Sequence, residues 1–73
     1  MYKFIDMEKF AERIKKLRLS KNLTQIDVAL GTRSTQASVA RWEAGTSIPS
    51  IEVAVKLAKF FKVSTDYLLG LED

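Results

Sequence analysis

The sequence predicts an all-α fold of five short helices, and three observations predict it. Five residues able to cap a helix, Asp6, Thr24, Thr35, Ser50 and Ser64, each stand at the head of a helix-forming stretch. The apolar residues of the first stretch, Met7, Phe10, Ala11, Ile14 and Leu17, fall three and four apart, the spacing of one helical face. Asn22, Gly45 and Gly70 sit where helices should stop, each able to take the left-handed conformation of a C-terminal cap. A chain of 73 residues is one domain with one small core, because folding at this size buries only about 60% of the unfolded surface.

Taken in order, Tyr2, Phe4 and Ile5 precede the first helix and are more apolar than a frayed end needs, so they are expected to cover something. The first helix starts at Asp6 and stops at Asn22. The second starts at Gln25, where the Thr24 hydroxyl can accept from a backbone N–H and Asp27, at the third helical position, suits the positive helix end. It should be short, since Gly31 costs about 1 kcal/mol against alanine and the side chains of Thr32 and Ser34, on either side of Arg33, compete for backbone groups. Thr35 caps a third helix in which Val39 and Trp42 fall three apart, leaving Gln36, Ala37, Ala40 and Arg41 to project elsewhere, and Gly45 closes it. Residues 46–50 form a loop. Ser50 caps a fourth helix with Ile51, Ala54, Val55, Ala58 and Phe61 inward and a second apolar stripe of Val53, Leu57 and Phe60. Ser64 opens a last helix over 66–69, with Tyr67, Leu68 and Leu69 as a lid on the core. Leu19, Ile26 and Leu30 lie outside the expected core faces. They are either single exposed residues, which are common, or receive the Tyr2, Phe4 and Ile5 segment or a neighbouring subunit.

Composition excludes several chemistries. With no cysteine and no histidine the chain lacks disulfides, thiolate nucleophiles, imidazole bases and the usual zinc ligands, and no carboxylates are spaced as an acid/base pair. An enzyme is not expected, nor a cofactor. No apolar run suggests a signal peptide or a membrane span, so a cytoplasmic chain with no membrane partner is expected. Twelve Lys and Arg against nine Asp and Glu give a net charge of +3, which is only a weak pointer to a polyanion. Lys56, Lys59 and Lys62 crowd the negative end of the fourth helix, which the macrodipole favours as readily as a DNA contact would.

The stretch from Leu23 to Glu43 carries the functional signal: helix, tight turn, helix, with the second helix offering a polar face. The major groove of B-DNA admits one helix and displays a distinct donor and acceptor pattern for each base pair, to which an amide such as Gln36 suits adenine and a guanidinium such as Arg41 suits guanine. Read without any context, Gln36 would merely finish a cap and Arg41 solvate a helix. Gln25, at a helix start, can meet a phosphate and can also orient Gln36, while Arg33 in the turn and Thr46 and Ser47 in the loop are weaker phosphate candidates.

Leu23-Thr24-Gln25, then Arg41-Trp42-Glu43 followed by Gly45 and Pro49, and the ending Ser64-Thr65-Asp66-Tyr67-Leu68-Leu69-Gly70 resemble the phage-repressor/Cro (XRE-like) family of helix-turn-helix regulators from about Arg13 to Gly70. The resemblance implies a five-helix, lambda-repressor-like DNA-binding domain over residues 6–70, with an arm at 1–5 and a tail at 71–73. It implies that the third helix enters the major groove of double-stranded DNA, usually from a two-fold homodimer. Carried over residue by residue, it makes Gln36, Ala37 and Arg41 the base contacts, Ala37 offering only a methyl group to thymine. Ser38 would face either the core boundary or a phosphate. The resemblance also pairs Arg18 with Glu43 and makes Trp42 a core anchor. The family's turn glycine would fall at Arg33, its last leucine of the second helix at Thr32 and its apolar residue after the turn at Ser34, whereas this chain has Gly31 two places early. Either the turn begins sooner or a non-glycine residue adopts positive φ. The expected function is a sequence-specific transcriptional regulator, read as a repressor of a roughly palindromic operator. The alternative is an antitoxin-type protein that binds a partner protein and autoregulates its promoter. The dimer or partner surface is expected at the Val53, Leu57 and Phe60 stripe or the final helix, with Leu19, Ile26 and Leu30 as further candidates.

Overall fold

The computed structural model describes residues 5–72, which form five helices and no strand. These are α1 (Met7–Ser20), α2 (Gln25–Thr32), α3 (Gln36–Ala44), α4 (Ile51–Phe61) and α5 (Thr65–Leu68). Each begins at an expected cap, whose side chain accepts from the N–H three residues on: Asp6 from Lys9, Thr24 from Asp27, Thr35 from Ser38, Ser50 from Val53 and Ser64 from Tyr67. At α2 the exchange is reciprocal, Asp27 accepting from the Thr24 N–H at 2.8 Å, and hydrogen bonding from the Thr24 N–H and then from its hydroxyl holds the Asp27 carboxyl below its usual range.

The five caps leave the helices too short to stand alone, so packing must hold them. α3 packs on α1 and α2, α4 on α2 and α5, and α5 also on α1. Phe10, Ile14, Val28, Ala29, Val39, Trp42, Leu57, Ala58, Phe61 and Leu68 form one buried cluster, with Leu17, Leu23, Val53, Phe60, Val63 and Leu69 packed around it. Trp42 is a core anchor. Arg13 joins the lid to α1 in a way the sequence did not announce: its guanidinium lies 4.2 Å over the Tyr67 ring and donates to the carbonyl oxygens of Tyr67 and Glu72. No helix among the described residues is long and apolar enough to cross a membrane.

The fourth helix departs from its expected orientation. Leu57, placed on an outer stripe by sequence, is wholly buried and cannot serve as a partner surface, while Val53 and Phe60 are half-buried and pack on the core. Ile51 and Val55, expected inward, are exposed, Ile51 to 84%. The reason is the rotation of α4: Ala54, Leu57, Ala58 and Phe61 face the core, with Ala54, in the same first turn as Ile51, only 2% exposed, while Ile51 and Val55 fall at the margin of that face and beyond it. Met7, at the first position of α1, is also exposed. Tyr2 and Phe4 lie outside the described residues. Ile5, the described member of that group, is exposed and sits at the opposite end of α1 from Leu19.

The turn between α2 and α3 resolves the displaced glycine. α2 continues to Thr32, and Arg33, not glycine, takes the left-handed conformation at φ 56° and ψ 41°. Gly31 serves a different purpose: a Cβ built there would stand 2.2 Å from the Phe60 Cε1, so the ring lies against the bare backbone of α2. Phe60 is itself braced edge-on against Phe61, with ring centroids 5.0 Å apart. Thr32 is buried in the leucine position, and its hydroxyl is satisfied by donating 2.8 Å to the Val28 carbonyl while lying 3.2 Å from the Ser34 hydroxyl. The Ser34 N–H donates to the Ala29 carbonyl at 2.8 Å and fastens the turn.

Gly31→Ala will destabilise the fold by about 1–2 kcal/mol in denaturant titration, overpacking exceeding the gain in helix propensity. In a Phe60→Ala background the same change will become neutral or stabilising. Arg33→Gly will raise stability by about 0.5–1 kcal/mol, since relief of the left-handed strain exceeds the added freedom of the unfolded chain.

Candidate nucleic-acid interface

α3 owes its position to the two residues it buries. Val39 and Trp42 enter the core, which turns Gln36, Ala37 and Arg41 to the solvent side, all three exposed. Ala37 and Arg41 stand one turn apart on one face, and Gln36 stands at the first helical position beside them. Gly45 ends α3 at φ 77°, and Thr46 closes the last turn with both its N–H and its hydroxyl directed to the Arg41 carbonyl. Thr46 thus caps α3 while its side chain stays exposed. Ser38 is half-buried and its hydroxyl lies 2.9 Å from that of Thr35, which places it at the cap. Ser47 is half-buried and Arg33 exposed.

Behind this face lies a continuous polar chain. The Arg18 Nε and Nη2 donate to the two Glu43 oxygens at 2.7 and 2.9 Å, a fork-like pairing of guanidinium and carboxylate. Both side chains are shielded, 12% and 5% exposed, and the bond to Glu43 raises the Arg18 pKa despite the opposing effect of burial. The remaining Arg18 nitrogen, Nη1, donates 2.9 Å to the Leu23 carbonyl just ahead of α2. Gln25 Nε2 donates to Glu43 Oε1 at 3.2 Å, and Gln25 Oε1 accepts from Gln36 Nε2 at 2.7 Å. The expected pairs, Arg18 with Glu43 and Gln25 with Gln36, are thus two parts of one array. The link between them, Gln25 to Glu43, was missed because nothing in a separation of eighteen residues signals contact.

The start of α2 adds a second feature. Its capping box satisfies the N–H groups of Thr24 and Asp27, leaving those of Gln25 and Ile26 without a partner among the described residues. They lie at the positive end of the helix, in a hollow lined by Arg18, Leu23, Thr24, Gln25, Ile26 and Gln36. Donors for an anion and donors for a base edge therefore adjoin.

Comparison with known proteins agrees with this geometry. The family model described as helix-turn-helix matches residues 14–68. The chain is 36% identical over 64 residues to the HTH-type transcriptional activator BcrR of Enterococcus faecalis, covering 88% of this chain and 31% of that protein. It is 37% identical over 54 residues to the cryptic phage CTXphi transcriptional repressor RstR of Vibrio cholerae, covering 74% of this chain and 49% of that one. The chain spans 31% to 57% of the length of the curated relatives it matches. Among solved structures, the P22 c2 repressor in complex with a synthetic operator superposes with a TM-score of 0.82 at 25% identity, covering 86% of this chain and 96% of that one. The restriction-modification controller protein C.AhdI from Aeromonas hydrophila superposes with a TM-score of 0.78 at 28% identity, covering 89% and 98%. The chain belongs to the phage-repressor/Cro-like helix-turn-helix family of DNA-binding transcriptional regulators.

Proposed function

We propose that this chain represses transcription by binding, as a homodimer, a two-fold operator whose bases it reads through the major groove with Gln36, Ala37 and Arg41. The observation that carries the reading is the exposed face of α3, where an amide held in place by Gln25 adjoins a methyl group and a guanidinium. The amide and methyl suit an adenine–thymine pair, and Arg41 a guanine. Gln25, the N–H groups at the start of α2 and exposed Arg33 meet the phosphate backbone and set the register. Two relatives are named as repressors and one as an activator. The repressor reading rests on a groove-filling protein obstructing other proteins at the same DNA.

The dimer surface lies at the exposed apolar residues of the α3–α4 region, Ile48, Ile51 and Val55, in place of the Leu57 stripe. An isoleucine left 84% in water at the first position of a helix, with two further β-branched residues nearby, is best explained by a second copy. Leu19, Ile26 and Leu30 are also exposed, Leu30 to 76%, and remain available to a partner protein.

In competition binding at fixed salt, Gln36→Ala and Arg41→Ala will each weaken the selected operator by about 5- to 150-fold and relax preference at one base pair, with non-specific binding much less affected. Binding indifferent to sequence and to both changes would sink the reading. Ile51→Glu will shift the sedimentation equilibrium toward monomer and weaken a full operator more than a half-site. The selected sites will show half-site centres about ten to eleven base pairs apart.

A further inference from the structure

We propose that Glu43 is a positioning residue for base recognition: its carboxylate, gripped by Arg18, determines through Gln25 which end of the Gln36 amide is offered to DNA. The inference rests on the reading of Gln36 as a base contact.

The argument follows from which groups can only donate and which can only accept. A guanidinium has no acceptor, and an ionised carboxylate has no donor. Arg18 spends Nε and Nη2 on Glu43 and Nη1 on the Leu23 carbonyl, so neither its position nor its polarity is adjustable. Glu43 can only accept, so Gln25 must turn its NH2 group toward it, as it does at 3.2 Å. The Gln25 carbonyl oxygen then faces Gln36, which must answer with its own NH2 group at 2.7 Å. An amide side chain is almost symmetric in shape, and by itself either end could point either way. Here a shielded ion pair sets the direction of two successive amides.

The consequence is chemical. With one N–H given to Gln25, Gln36 retains its carbonyl oxygen and one N–H, an acceptor beside a donor, which complements the N6 amino group and N7 of adenine. Reversed, the same side chain would receive from Gln25 on its oxygen and offer two N–H donors, which complement N7 and O6 of guanine. Selection between two purines is thereby assigned to a carboxylate that touches neither.

Glu43→Gln tests this, because the substitution keeps shape and replaces a group that only accepts with one that has an acceptor end and a donor end. Arg18 Nη2 and Gln25 share Glu43 Oε1 while Arg18 Nε takes Oε2, so the single oxygen of the new amide can fill only one of the two places. Gln25 is then no longer compelled to present its NH2 group, and the direction of both following amides is released. Four duplexes differing only at the base pair whose preference Gln36→Ala abolishes are compared by competition. The adenine-to-guanine affinity ratio should fall by about 5- to 100-fold in Glu43→Gln. Gln25→Met, which severs the chain and leaves the ion pair intact, should bring the ratio toward one with little change in melting temperature. It decides the matter if Glu43→Gln does not fold. A purely structural Glu43 would give equal weakening on all four duplexes in both variants, and that result overturns the inference. If Gln36→Ala itself leaves the four-base preference unchanged, the base-reading proposal fails instead.

Discussion

The Arg18–Glu43 pair is the constraint on which the geometry of the candidate recognition surface depends. It joins the end of α1 to the end of α3 across a separation of twenty-five residues, with both charges largely withdrawn from water. A shielded pair of this kind adds little over a hydrophobic substitute, yet loss of one partner strands a charge and costs about 3–5 kcal/mol. Its value here is directional. The third nitrogen of Arg18 holds the carbonyl of Leu23, and one Glu43 oxygen holds Gln25, so the same pair ties the start of α2 to the end of α3.

Around that pair, packing and hydrogen bonding divide the work. Val39 and Trp42 anchor α3 in the core and set its rotation, while the polar array sets the aim of the side chains it leaves outside. The candidate interface is therefore preorganised: Gln36 is already bonded to Gln25, so little conformational entropy would remain to be lost at that residue on binding a ligand. The modest net charge of +3 fits a protein whose discrimination depends on placed donors and acceptors more than on a strong field.

The turn between α2 and α3 shows how a local pattern can change while the surrounding frame persists. Replacing the usual glycine, leucine and apolar residue with Arg33, Thr32 and Ser34 introduces a strained backbone position and two hydroxyls. The Thr32 hydroxyl donates to the Val28 carbonyl and lies against the Ser34 hydroxyl, the N–H groups of Arg33 and Ser34 donate to the Ala29 carbonyl, and the glycine at Gly31 lets Phe60 press on α2. Gly31 therefore bears on α4 as well as on the turn.

Local chemistry was readable from the residues alone. All five caps, the ends at Asn22 and Gly45, and the outward set Gln36, Ala37 and Arg41 follow from interactions within three or four positions, or from a helical period, which sequence carries directly. The resemblance supplied the Arg18–Glu43 pairing. What the sequence could not decide was the rotation of α4, where two apolar stripes compete and only contact with α2 determines that Leu57 is buried and Ile51 is not. Nor could it decide the left-handed residue of the turn, the Arg13 clasp on Tyr67, or the joining of Gln25 to Glu43. Each depends on where separate helices meet, because an apolar stripe or a hydrogen-bonding side chain states what it can satisfy, and only the packed chain determines which partner comes within reach.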